Sequence, residues 1–72
     1  MTIHINHDAA ILAHLASRPG PHTVAEIRDA VAPSASVCVI GIECAALSSM
    51  RRAVRERWES GVETYSARAV GL

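Results

Sequence analysis

Seventy-two residues make one small domain, and a chain of this size hides only about 60–65 % of the surface its unfolded form exposes. Seven Arg and no Lys stand against seven acids, for a formal charge of zero, and half the residues are hydrophobic with no Phe, one Trp and one Tyr. The core must therefore be aliphatic, and the neutral balance speaks against strong nonspecific binding to nucleic acid, which feeds on basic excess.

The opening "MTIHINHDAA" has no positive region followed by an apolar one, and no apolar run approaches the roughly 20 residues of a membrane span. No membrane partner and a cytoplasmic setting are expected. Cys38 and Cys44, if they share a helix, are separated by about 9 Å of rise and point about 120° apart. That is beyond disulfide reach, so two buried or half-buried thiols are expected.

A first helix is predicted over residues 7–17. Asn6 is a good N-cap, Asp8 suits the positive end of the helix, and Ile11, Leu12 and Leu15 form an apolar stripe. "RPGP" from Arg18 to Pro21 then stops it. The second helix, over 24–31, opens on "TVAE", a capping box in which Thr23 and Glu26 satisfy each other's backbone N–H groups. Val24, Ile27 and Val31 line its inner face, and Pro33 marks its end, with Ser34 or Ser36 as the next cap.

A third helix is predicted over 36–52, because Val37, Ile40, Cys44, Leu47 and Val54 fall on one stripe at helical spacing. The alternative is a strand over 37–42, since "SVCVIGI" is rich in β-branched residues and Gly41 is a poor helix former. A hairpin over 54–68 turning at Ser60-Gly61 is the expected ending, with Val54, Trp58, Tyr65 and Ala67 on one face and Arg55 and Arg57 on the other. A helix running on to Gly61 is the alternative.

"ILAHLASRPGPHTVAEIRDAV", then "ALSSMRR", then a hairpin signal resemble the winged helix-turn-helix family over residues 7–68. The resemblance implies a mainly α fold, three helices followed by a small β-hairpin, and one domain across 1–72. It also implies a small prokaryotic or phage regulator that places its third helix against DNA.

The outer face of that helix holds Cys38, Ile42, Ala45, Ser49 and Arg52, flanked by Val39 and Ala46. Base readout needs Arg, Lys, Asn or Gln in the groove, and the first two turns offer none. Ser36, Ser49, Arg51, Arg52, Arg55 and Arg57 are the candidate DNA contacts, with the arginines on phosphates, where they position without specifying sequence. Cys38, Val39, Ile42 and Ala46 are the candidate protein interface, for a homodimer or another protein. A third use of this patch is as core, covered by "TIHI" or "ARAVGL" from the termini.

His4, His7, His14 and His22 lack the converging, paired spacing of a zinc site and read as solvated surface histidines. No catalytic constellation or phosphate-binding glycine loop stands out, so neither an enzyme nor a cofactor is expected. A DNA-binding transcriptional regulator is the first functional expectation; a protein-interaction module, such as a phage-type inhibitor or adaptor, is the alternative.

Overall fold

The computed structural model describes residues 6–68. Three helices and a three-stranded antiparallel sheet alternate as α1 (Asp8–Ser17), β1 (His22–Thr23), α2 (Val24–Val31), α3 (Val37–Ser49), β2 (Ala53–Arg57) and β3 (Glu63–Ala67). The sheet order is β1-β3-β2, which makes this a mixed α/β domain and not a mainly α one with a lone hairpin. Between the helices and the sheet lies a core of Ile11, Leu15, Ile27, Ile40, Cys44, Leu47, Ala53 and Tyr65. It is aliphatic as the composition demands, with Tyr65 the one aromatic ring inside.

α1 starts at Asp8, one residue later than predicted, with His7 and not Asn6 at its N-cap and no side chain capping it; Asn6, one residue further out, accepts the backbone N–H of Asp8 at 2.7 Å. Thr23 caps α2 by accepting the Glu26 N–H at 3.2 Å. The return half of the box differs: Glu26 accepts from the Thr23 hydroxyl at 3.2 Å and not from its backbone. Ser36 caps α3 by accepting the Val39 N–H at 3.1 Å; caps of this kind contribute about 1 kcal/mol each.

The segment 37–42 is helical, and the strand alternative falls. Gly41 faces α2, where an added methyl would meet Val24 at 3.6 Å, an ordinary contact. The glycine therefore weakens the helix without being demanded by its packing. Val37 and Val54, predicted to lie on the inner stripe, are instead 42 % and 39 % exposed, because the stripe begins at Ile40 and the helix has ended before Val54.

That ending comes at Ser49, three residues early. The Arg51 N–H donates to the Ser48 carbonyl at 3.0 Å and the Arg52 N–H to that of Leu47 at 2.8 Å, the bond pattern of a Schellman cap. The cap needs a left-handed residue, and Arg51 supplies it with φ at 61°, a position that usually belongs to glycine. Arg51→Gly should raise stability by about 0.5–1 kcal/mol, since relief of the left-handed strain outweighs the extra freedom of the unfolded chain. A urea midpoint that moves up at unchanged slope checks this; one that moves down contradicts it.

The hairpin forms, but its register is shifted by one residue from the prediction. Gly61 donates to the Trp58 carbonyl and Trp58 to that of Val62, both at 2.9 Å, while Gly61 takes φ of 89°. The loop thus holds three residues ending in a left-handed glycine. One additional loop residue turns the first strand over relative to the second. Arg55 now stands opposite Tyr65 and Arg57 opposite Glu63, while Val54 turns outward and Trp58 donates its indole N–H to Thr64 at 2.9 Å.

Candidate functional site

The outer face of α3 is where the predicted contact residues fall. The helix is amphipathic only on its inner side, where Ile40, Cys44 and Leu47 are buried. Its other side, Ser49 apart, stays apolar in view of solvent. Ile42 is 70 % exposed and Val39 41 %, Cys38 and Ala46 are exposed, and Met50 at the C-cap is 54 % exposed. All four predicted interface residues, Cys38, Val39, Ile42 and Ala46, are brought together on this face. Cys38 is exposed, against the expectation of a buried or half-buried thiol, because its place on the helix turns it away from the core. Met50 joins them; its spacing four residues after Ala46 was the available signal, masked by the arginines that follow it.

The candidate DNA contacts do not gather in the same way. Ser36 is committed to the cap of α3, Ser49 is exposed on the helix, and no Arg or Lys lies anywhere within α3. Arg51 and Arg52 are exposed just past its end, and among the described residues neither enters an ion pair. The Arg51 carbonyl accepts from the Arg68 guanidinium at 2.7 Å. Arg55 and Arg57 both turn to Glu63, Arg55 at 3.9 Å and Arg57 through a hydrogen bond. The Arg57 guanidinium holds the Glu63 carboxyl below the usual carboxylate range. The positive charge of the hairpin is thereby partly answered by its own chain, an effect of register that the residues read singly did not reveal.

One polar device holds α3 in place from behind. Glu43 is 8 % exposed and accepts the His7 backbone N–H at 3.0 Å and faces the His7 ring Nδ1 at 3.1 Å. A carboxylate buried on a helix must be paired in this way to be tolerated. His7 is accordingly not a solvated surface histidine. The signal for the pair was a lone acid, Glu43, set beside Cys44 on the inner stripe. Burial, with Glu43 alongside, pushes the Cys44 thiol up to about 11, which leaves it an inert packing group. Both cysteines are free.

His14 and His22, both half-buried and so not the solvated histidines expected, lie with ring centroids 5.3 Å apart and planes tilted by 53° in a cleft also lined by Arg18, Glu26 and Ala30. The His22 ring is occupied, with Nε2 at 2.7 Å from the Arg18 carbonyl and Nδ1 at 3.6 Å from Glu26. Among the described residues no group of three or more His, Cys, Asp or Glu could hold a metal ion, and His4 lies outside them. No helix among the described residues is long and apolar enough to cross a membrane. The termini proposed as covers for the α3 patch, "TIHI" and most of "ARAVGL", also fall outside the described residues. Comparison of the chain with family models, curated proteins and solved structures yields no match.

Proposed function

We propose that this domain is a protein-interaction module that offers the outer face of α3 to a protein partner, on a scaffold of winged-helix type. The observation that carries the reading is the exposure of Ile42, at 70 %, in the middle of a helix face that holds no charge. Water disfavours such a patch, by about 25 cal/mol for every Å² of apolar surface left open, and contiguous patches of this kind mark contact sites. The order of helices and strands is compatible with a winged helix-turn-helix, in which α3 occupies the place of the DNA-reading helix.

Transcriptional regulation through DNA is the second reading, favoured by Arg51 and Arg52, which stand exposed at the end of α3 without an acid beside them. Two cations and a neutral chain supply little phosphate attraction, and the first turns of α3 present no base-reading side chain. Titration of a labelled duplex separates the two readings. At about 50 mM salt, where phosphate contacts are strong, we expect no binding at micromolar protein. Binding that weakens steeply with added salt would favour the DNA reading.

A further inference from the structure

Four residues of the exposed face follow one another at intervals of four: Cys38, Ile42, Ala46 and Met50. Such a row forms a single ridge along a helix. Its members alternate small, large, small, large. Beside it stand Val39, 41 % exposed, and the exposed Ser49, again one large and one small. A two-fold axis that runs beside the outer face, perpendicular to the helix at the height of Cys44, exchanges the two ends of this pattern. It brings Ile42 level with Ala46 of a second copy, Cys38 level with Met50, and Val39 level with Ser49. In every pair the bulkier side chain meets the smaller one.

We propose that the occupant of this face is a second copy of the same chain, its α3 antiparallel to the first across a two-fold axis. The inference rests on the contact-surface reading given above and names the partner within it. An isologous interface must be complementary to itself, and the ridge meets that condition in both shape and charge. None of Cys38, Val39, Ile42, Ala46, Ser49 and Met50 carries a charge, so two copies approach without like charges meeting. The one acid on the helix, Glu43, is buried and held by His7. Ridges of this i, i+4 type pack into one another's grooves at about −50°, so the contact is closest at Ile42 and Ala46 and opens toward Cys38 and Met50. A single 13-residue helix, about 20 Å long, places the contact at the small end of interface sizes, so the dimer is expected to be a weak, concentration-dependent one.

A size swap tests the pairing. Sedimentation equilibrium from about 1 µM to 1 mM covers the range of weak interfaces, and is run on the wild type, Ile42→Ala, Ala46→Ile and the double variant Ile42→Ala/Ala46→Ile. Both positions are exposed, and thermal melting confirms that each variant is folded. We expect a wild-type dimer, weakened about tenfold or more by Ile42→Ala, which empties the contact, and by Ala46→Ile, which overfills it. The double variant restores large against small and should return to within about threefold of the wild type. A dimer in which the double variant is weaker than either single one overturns the proposed register. A wild type that stays monomeric to 1 mM overturns the second copy as occupant. The contact-surface reading fails separately, by an Ile42→Glu chain that does not fold.

Discussion

Ile40→Ala should cost about 2–5 kcal/mol, whereas Ile42→Ala, the same change two residues on, should shift the stability of the monomer by no more than about 0.5 kcal/mol. Ile40 is wholly buried in the core and Ile42 is 70 % exposed. Truncating Ile40 removes apolar contacts and leaves a cavity among Ile11, Leu15, Ile27 and Leu47, all of them buried to within 1 %. A domain of this size holds only a few kcal/mol in reserve, so the Ile40 variant should be largely unfolded at 37 °C or below (an expectation set by the same few kcal/mol). The contrast follows from helical geometry, since residues two apart lie on opposite sides of a helix and on the same side of a strand. Chemical denaturation of the two variants at low protein concentration checks it, and equal losses would return this segment to a strand.

The parts of this fold that were legible in the sequence are those governed by local chemistry. Thr23 and Ser36 cap α2 and α3, "RPGP" ends α1, and the inner stripe of Ile40, Cys44 and Leu47 shows its helical period. The parts that were not legible depend on distant partners. β1 has two residues, too few for any periodicity, and exists because His22 and Thr23 pair with Tyr65 and Thr64. The hairpin register depends on one residue more or less in its loop, which "ESGV" does not decide. The end of α3 was overrun because Arg51 and Arg52 read as good helix formers, while the left-handed turn at Arg51 has no sequence signature without a glycine. The candidate interface was legible because it needs only the period of one helix. The fate of the hairpin arginines depended on Glu63, opposite Arg57 across the sheet.

Ile42→Glu should leave the isolated domain folded and remove its association. In the free chain the new carboxylate projects from the most exposed large hydrophobic position among the described residues and keeps its water. The monomer then loses little beyond the modest change expected of a surface substitution. In a closed contact the carboxylate is stripped of water among Cys38, Val39, Ala46 and Met50 or their counterparts and finds no donor, and burying an unpaired charge costs several kcal/mol. A weak apolar contact does not survive that penalty. Were the face covered by the chain's own termini, the same penalty would fall on folding itself. Were it pressed to DNA, the variant would stay folded and weaken duplex binding through repulsion by phosphates.

The central claim, that the outer face of α3 is an open protein-contact surface, is tested most directly by the melting temperature of Ile42→Glu, taken together with its self-association in sedimentation. The predicted result is a melting temperature within a few degrees of the wild type at low concentration, about 4–8 °C being the equivalent of 1 kcal/mol in a small domain, with association lost. A chain that no longer melts cooperatively would contradict it, and so, where the wild type dimerises, would a variant that dimerises as tightly.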